Sequence, residues 1–422
     1  MTRRALRIAL VGINYAPEPT GIAPYTTRLA AGLADRGHQV QVLTGVPHYP
    51  RWQRISRSRI RANESTNGVA IRRLNHHVPK HSSVLGRMLM ELTFGLQVVT
   101  TRWNRPDVVI CVSPPLIASA ATMARARLTP SRPAIGILVH DLYGRGVSET
   151  GIMNRRSANL MQWVESSTLR MADQIAVIHN GFSGTLVDQL GIDPRQIREI
   201  RNWSHVHEPD PAASLKFRRR HGWLPEEVVV LHAGNMGHKQ GLENVVAAAR
   251  IAGERGERTR FVLLGDGNQR ARLQAAGEGL SNLEFLPPVD EDDFPAALGA
   301  ADVLLVNELP GVGQMAVPSK LTSYFRANRP VLAATDATSF TAREINASGG
   351  GVIVPADEPE GLIREALRLA ADPALAQRLG AAGRRYSEQI LSETAALDLY
   401  EQWIVDLVDT RQQEWERSPS EH

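Results

Sequence analysis

The chain has 422 residues, of which 43% are hydrophobic and 22% are charged, and its formal net charge is +4 at pH 7. This length and composition fit about two or three folded domains, and no apolar run reaches the roughly 18 uncharged residues of a membrane span. The single cysteine, Cys111, lies in an apolar run, which excludes an internal disulfide and disfavours a zinc site. Residues 1–7 lead directly into an apolar strand, not into a signal sequence, so we expect a cytoplasmic protein.

Charge is distributed unevenly between the two halves of the chain. Residues 1–215 contain 26 Lys and Arg against 14 Asp and Glu, whereas residues 216–422 contain 22 against 30. A basic half favours an anionic partner, and the lack of interleaved aromatic residues or a zinc-finger pattern argues against nucleic acid. Five arginines in residues 51–61 and an apolar amphipathic helix over 84–99 predict peripheral binding to the inner leaflet of the membrane. A solvated basic loop beside a core-facing helix explains the same pattern equally well.

Apolar strands alternate with amphipathic helices throughout the first half. This alternation predicts a mostly parallel sheet with helices on both faces. The first loop is not G-x-G-x-x-G and no acidic residue ends the second strand, so a dinucleotide site is disfavoured, although Gly21 could face a phosphate. The predicted strands are 7–13, 39–43, 69–74, 107–112, 134–140, 174–178 and 197–201, and the predicted helices are 25–36, 84–103, 116–127, 154–171 and 182–190.

Prolines and polar residues over 203–225 interrupt the alternation, which predicts a domain boundary there. We therefore assign residues 1–205 to an N-terminal domain, 206–390 to a C-terminal domain, and 391–422 to a crossover helix and tail. Residues beyond Thr410 have little apolar content and are expected to fray. In the second half the predicted strands are 228–233, 259–264, 283–286, 303–306, 331–333 and 352–354, and the predicted helices are 242–254, 268–276, 291–299, 359–370 and a continuous run over 373–408.

A glycine-rich loop over 311–317 leads into a helix that begins near Ser319. Pro318 suits the first helical turn, and the free amides at this end carry partial positive charge beside Lys320. This combination predicts a site for a diphosphate. Taken alone, the fragment is better explained by an ordinary loop-to-helix junction that carries a surface lysine, so the interpretation depends on the rest of the chain.

Other polar, glycine-containing loops also follow predicted strands, at 14–24, 234–241 and 265–267. In parallel α/β domains, ligands bind outside the carboxyl ends of the strands, so we expect the site in a cleft between two such domains. Seven segments in this order resemble the retaining glycosyltransferases of family 4, in particular bacterial exopolysaccharide enzymes of the colanic-acid and N-acetylfucosamine transferase type. They are residues 14–25, 43–52, 139–143, 202–204, 234–242, 263–267 and 317–324.

The resemblance implies the GT-B fold: two Rossmann-like, doubly wound α/β domains that face each other across a cleft, with a C-terminal helix crossing back to the first. It also implies that the C-terminal domain binds a nucleotide-sugar donor without a metal. Asn235 and Gln240 stand where the family commonly has Arg and Lys, with Lys239 as an adjacent replacement, and Ser323 stands where it has a second glutamate. The donor-binding residues implied are Gly234, Asn235, Gln240, Gly265, Leu286, Pro287, Glu308, Gln314, Met315, Ala316, Val317, Pro318, Ser319, Lys320 and Ser323.

In the N-terminal domain, the resemblance places Gly21 beside the diphosphate and His140 and Asp141 near the transferred sugar. A strand-capping histidine is the alternative for His140, but its position at a strand end together with the resemblance favours the functional role. The acceptor side is assigned to Asn14, Tyr25, His48 and Tyr49, although a proline-flanked aromatic turn explains the last two as well.

These features predict an enzyme that transfers a hexose from a UDP- or GDP-linked donor to a lipid-linked saccharide acceptor, with retention of anomeric configuration. Catalytic roles fall on His140, Asp141, Lys239 and Lys320, and no cofactor or metal is expected. A sugar-nucleotide 2-epimerase of the same fold and a non-catalytic nucleotide-sugar-binding partner of a membrane complex are the alternatives. The sequence leaves the donor base, the sugar, the acceptor linkage and the oligomeric state open.

Overall fold

A computed structural model of the chain describes residues 4–18, 21–49, 52–54, 63–79, 84–142, 155–204, 206–313 and 319–417. The chain divides into two compact units, Met1–Arg201 together with Ala396–His422, and Asn202–Ala395. None of the described helices is long and apolar enough to cross a membrane.

The first unit contains an eight-stranded sheet in the order β3-β4-β2-β1-β5-β6-β7-β8. Neighbouring strands are parallel except for β3 and β4. The central strands are buried on both faces, which explains their unbroken apolar runs. The strands are β1 Arg7–Gly12, β2 Gln39–Gly45, β3 Asn63–Thr66, β4 Val69–Leu74, β5 Val108–Ser113, β6 Ala134–Val139, β7 Gln174–Val177 and β8 Ile197–Glu199. The helices are α1 Ala23–Asp35, α2 Val84–Thr100, α3 Leu116–Leu128, α4 Arg155–Leu169 and α5 Asn180–Asp188.

Strand β3 was not expected from the sequence. Its four residues are polar and largely exposed, so it lacks the apolar signal of the other strands. It joins β4 through Asn67 and Gly68, which both have positive φ angles, of 51° and 73°. Asn-Gly is a typical two-residue hairpin turn, and it was the local signal for this antiparallel edge strand.

The second unit contains a six-stranded parallel sheet in the order β11-β10-β9-β12-β13-β14. Its strands are β9 Val228–Ala233, β10 Thr259–Leu264, β11 Leu283–Leu286, β12 Val303–Asn307, β13 Val331–Ala334 and β14 Gly351–Val354. Its helices are α6 Pro211–Arg220, α7 Glu243–Glu254, α8 Arg270–Ala276, α9 Asp293–Ala300, α10 Ser319–Arg326, α11 Phe340–Ser348, α12 Pro359–Ala371 and α13 Pro373–Gln389. Helix α11 was missed in the sequence, although Ser339 caps it by accepting a hydrogen bond from the Ala342 amide.

The continuous helix predicted over 373–408 is wrong, because the run breaks between α13 and a final helix, α14 Glu393–Arg417. The buried Leu391 lies in the break, which anchors the turn to the core of the second unit. Fraying beyond Thr410 is also wrong as far as Arg417, where the helix ends. As predicted, this last helix belongs to the first unit, where Tyr400, Trp403 and Leu407 are buried.

Candidate functional site

The loops after β9 and β10 pack backbone against backbone. Gly265 has a φ of 137°, and a Cβ atom built on it would lie 2.0 Å from the Gly234 carbonyl oxygen, so no larger residue fits there. The Gly265 amide donates to the Leu286 carbonyl (3.0 Å), which brings the carboxyl ends of three adjacent strands together. Arg270, which sequence reasoning missed, donates to the carbonyls of both Gly265 and Leu286. The predicted residues Gly234, Gly265 and Leu286, with Pro287 directly after Leu286, therefore form one surface.

Helix α10 places Lys320 beside this surface. The Tyr324 hydroxyl, one turn further along, accepts from the Ala233 amide (2.8 Å) and so ties the helix to the end of β9. The Lys320 Nζ atom lies 3.3 Å from Nε2 of His232 and 3.6 Å from where a Cβ on Gly234 would be. Desolvation lowers the pKa of Lys320 to about 8, while the Glu308 carboxylate acts in the opposite direction. The Lys320 ammonium is thus held beside the glycine turn that follows β9.

Glu308 is buried directly after β12, and hydroxyl groups satisfy its carboxylate. The Thr335 hydroxyl donates to one oxygen, and the Thr341 hydroxyl donates to the other at 2.6 Å. Burial raises the pKa of Glu308, whereas the two hydroxyls and Lys320 oppose that shift. The Glu308 carboxylate therefore raises the pKa of Lys320 electrostatically, and the two threonine hydroxyls fix its position.

The glycine-rich loop after β12 is anchored at its described end. The Gly311 amide donates to the Asp336 carboxylate (2.8 Å), and the Phe340 amide donates to the Gly313 carbonyl (2.9 Å). Ser319 is exposed at the start of α10, whereas Ser323 is buried in the helix face that meets the core. The predicted donor-binding residues Gln314, Met315, Ala316, Val317 and Pro318 lie outside the described residues.

In the loop after β9, the side chains that stand in place of the family's Arg and Lys have different surroundings. The Gln240 Oε1 atom accepts from the Gly237 amide (3.0 Å), so this end of the side chain folds back on its own loop. Asn235 is exposed, and Lys239 is partly buried with its carbonyl accepting from the Leu309 amide. Of these residues, Asn235 offers the most accessible polar group.

In the first unit, the buried Glu18 organises three of the predicted acceptor-side residues. Its Oε1 atom accepts from the amides of His48 (2.8 Å) and Tyr49 (2.9 Å), and its Oε2 atom accepts from Nδ2 of Asn14 (2.8 Å). The Tyr49 ring is exposed and lies against Gly21, whose added Cβ would be 3.4 Å from Cε1 of the ring. Sequence reasoning missed Glu18, although its place between two prolines in a strand-end loop was a signal.

His140 follows β6, as predicted, and its ring centroid lies 6.0 Å from that of Tyr25. Its Nε2 atom is shielded from solvent and has no hydrogen-bond partner within the described residues. Desolvation lowers the pKa of His140 to about 4, so the imidazole is neutral at physiological pH. Asp141 is exposed, and its Oδ1 atom accepts from the Leu142 amide (2.9 Å). The end of this central strand thus carries a neutral imidazole whose Nε2 atom has no partner among the described residues.

Within the described ranges, no group of three or more His, Cys, Asp or Glu side chains is placed so that it could bind a metal ion. The histidines at 179, 207 and 221 are separate, and His205 lies outside the described residues.

Comparison with known proteins identifies the family. Residues 20–203 match the family model described as a glycosyl transferase 4-like domain, and residues 227–372 match the one described as glycosyl transferases group 1. The colanic acid biosynthesis glycosyl transferase WcaI of Escherichia coli K12 is 32% identical over 334 residues, which are 75% of this chain and 80% of that protein. The chain belongs to the family-4-like glycosyltransferases.

One further relative is named by its donor, and a solved structure shares the fold of the chain. A GDP-mannose-dependent alpha-mannosyltransferase of Mycobacterium tuberculosis is 28% identical to this glycosyltransferase over 280 residues, which are 64% of this chain and 65% of that protein. The crystal structure of HepE of Anabaena in complex with UDP and glucose matches it with a TM-score of 0.66 at 14% identity, covering 98% of this chain and 100% of that one. The glycosyltransferase has the GT-B fold predicted from its sequence.

Proposed function

We propose that this glycosyltransferase transfers a hexose from a nucleoside diphosphate sugar, linked to UDP or GDP, to a lipid-linked saccharide acceptor in the biosynthesis of an exopolysaccharide or surface glycan. The observation that carries the proposal is Lys320, held beside the glycine turns after β9 and β10 in the second unit. The names of the relatives support it, since they include UDP, GDP-mannose and colanic acid.

The leaving group determines what the second unit must supply. A departing nucleoside diphosphate gains negative charge as the glycosidic bond breaks, so a fixed cation and oriented amides stabilise the transition state more than the bound donor. With a pKa of about 8, Lys320 is largely protonated at pH 7, and the first turn of α10 adds free amides. This charge compensation needs no metal ion and no cofactor.

Retention of anomeric configuration is part of this proposal, and it needs a route without a covalent intermediate, because no side chain among the described residues of this site stands out as a nucleophile. Glu308, the buried carboxylate that acts on Lys320, is held by Thr335 and Thr341 and is not exposed for attack. We therefore assign a front-side displacement. The acceptor oxygen forms its bond to the anomeric carbon on the face from which the diphosphate leaves, and the acceptor proton passes to a phosphate oxygen of that leaving group.

In the first unit, the neutral His140 is assigned to the transferred sugar and its acceptor. An imidazole with a shielded, unpaired Nε2 can donate to or accept from a hydroxyl without carrying charge. Tyr49, exposed beside Gly21, is assigned to the acceptor side with Asn14 and His48, whose positions Glu18 fixes.

We assign the outer face of α2 to the inner leaflet of the membrane. One stripe of this helix leaves apolar side chains exposed, while Met90, Phe94 and Val98 on the other side are buried in the core. Both faces are therefore apolar, and only one is covered by the first unit. The excess of Lys and Arg in residues 1–215 favours an anionic bilayer as the occupant. The exposed residues are Leu85, Met88, Leu89, Leu92, Leu96 and Val99.

A donor panel tests the proposed reaction. The purified protein is incubated with UDP- and GDP-sugars, with and without a membrane extract, and free nucleotide and lipid-linked product are measured. We expect nucleotide release with one base, strongly increased by the extract, and a product linkage of the donor's anomeric configuration. Release of no nucleotide from any donor would refute the proposal, and isomerisation of the sugar without transfer would favour the epimerase.

A further inference from the structure

His232 has no role in the function described so far, and its side chain is fully enclosed. It is the penultimate residue of β9 and 0% exposed. Its Nε2 atom lies 3.3 Å from the Lys320 ammonium and 3.4 Å from the Asn235 carbonyl oxygen. An imidazole is a costly residue to bury in an otherwise apolar strand, so its contact with Lys320 needs an explanation.

The protonation state of His232 defines that contact. Burial, and then the charge of Lys320, lower the pKa of His232 well below its usual value, so the ring is neutral. A neutral imidazole in contact with an ammonium uses a lone pair on Nε2 as the acceptor and carries its proton on Nδ1. The contact with His232 then uses one of the three N–H groups of Lys320.

We propose that His232 is a positioning residue that directs the Lys320 ammonium toward the donor diphosphate and stabilises its charge there. This inference rests on the proposed function, since it requires the diphosphate to bind next to Lys320. The titratable groups that face Lys320 are His232 at the end of β9 and Glu308 after β12, and Asp336 after β13 acts on Glu308. Without His232, the ammonium would lose its acceptor in a partly buried place and would give up its proton more readily.

The test compares His232→Leu with His232→Gln. Leucine fills the space without an acceptor, whereas the glutamine amide oxygen can reach the position of Nε2. Binding of UDP and of GDP is measured by calorimetry from pH 6.5 to 9. For the wild type, affinity should fall as pH rises past about 8, the pKa of Lys320. In His232→Leu, affinity at pH 8 should be about tenfold weaker than in the wild type, with the fall displaced to lower pH. His232→Gln should restore both the affinity and the pH profile.

The outcomes separate this inference from the function on which it rests. If the wild type binds neither UDP nor GDP, both are overturned. If the wild type binds but His232→Leu shows the same affinity and pH profile, only the role of His232 is overturned. Thermal unfolding of each variant checks that it folds. If the leucine variant does not fold, His232→Asn replaces it, because asparagine is polar but too short to reach Nζ, and it should reproduce the displaced pH profile.

Discussion

Lys320 and His140 lie in different compact units, and their removal should affect different constants. Lys320→Ala removes a charge beside the proposed diphosphate in both the ground state and the transition state. Donor affinity should fall by about 1–3 kcal/mol, the usual cost of a lost charge-assisted contact, and turnover should fall as well. Calorimetry with UDP and GDP and a steady-state assay measure the two effects.

His140→Ala leaves the second unit unchanged, so donor affinity should stay within error. Its kcat should drop by a factor on the order of 10²–10³, as for other lost transition-state hydrogen-bond partners. His140→Gln, which keeps a polar group, is the control and should recover part of the rate. A His140→Ala enzyme with weakened donor binding and normal kcat would contradict the assigned role.

Buried neutral histidines should make the enzyme sensitive to acid. Desolvation is the main cause that lowers the pKa of His76 and of His140 to about 4. The unfolded chain takes up protons near pH 6.5 and the folded chain does not, so stability is lost as pH falls from about 6.5 to 4. For His76 alone the loss approaches about 3 kcal/mol. Thermal unfolding between pH 7.5 and 4.5 measures it, and His76→Gln should show a shallower decline. Equal slopes for both proteins would rule out His76 as a source.

At the level of elements, the lipid contact proposed for the outer face of α2 makes a testable prediction. The variant Leu89→Asp, Leu92→Asp and Leu96→Asp places charge in the middle of the exposed stripe and leaves its buried face intact. Wild-type protein should sediment with acidic liposomes at low salt, and the triple variant should stay in the supernatant.

Three other exposed leucines provide a matched control for the lipid-binding test. Leu128, Leu215 and Leu224, none of them on α2, are 85%, 50% and 49% exposed, so the same three changes to aspartate add equal charge elsewhere. This control should bind liposomes almost as well as the wild type. If the α2 variant binds liposomes as well as the wild type does, α2 does not face lipid. The exposed stripe would then be a surface for a protein partner.

Across the whole molecule, α14 is a distant segment that completes the first unit. A Cβ on Gly136, in β6, would lie 2.7 Å from the Trp403 ring, so the indole packs directly on the central sheet. Trp403→Ala should cost about 3–5 kcal/mol, the usual loss for a large buried aromatic residue. Thermal unfolding and limited proteolysis measure the loss. Trp163, which is 65% exposed on α4, is the control, and its change to alanine should shift stability by less than about 0.5 kcal/mol.

The proposed charge compensation by Lys320 and backbone amides also makes a prediction for the whole enzyme. Turnover should be unchanged after treatment with EDTA and after addition of Mg²⁺ or Mn²⁺. Activity that disappears with EDTA and returns only with one of these ions would show that the leaving diphosphate needs a metal, and the role assigned to Lys320 would then be wrong.

The sequence alone determined the two mostly parallel sheets. Strands buried on both faces are largely apolar, and four strands, Val69–Leu74, Val228–Ala233, Thr259–Leu264 and Leu283–Leu286, were predicted to the residue. Glycine turns at strand ends were also visible, because a close backbone approach admits no other residue. The polar strand β3 and the break before α14 were not predicted from the sequence. A local apolar pattern does not indicate a polar edge strand, nor a turn that is stabilised by one buried leucine.

Only the tertiary structure decided which polar side chains act together. His232 and Lys320 are 88 positions apart, and Tyr324 meets Ala233 across 91, so no local spacing connects them. Glu18 gains its role from three residues that the fold brings to it. The apolar pattern of α2 likewise did not show which face is buried, because a helix with two apolar faces gives one signal for both. Burial and long-range hydrogen bonds exist only in the folded chain, so the sequence could name candidate residues but not which of them lie together.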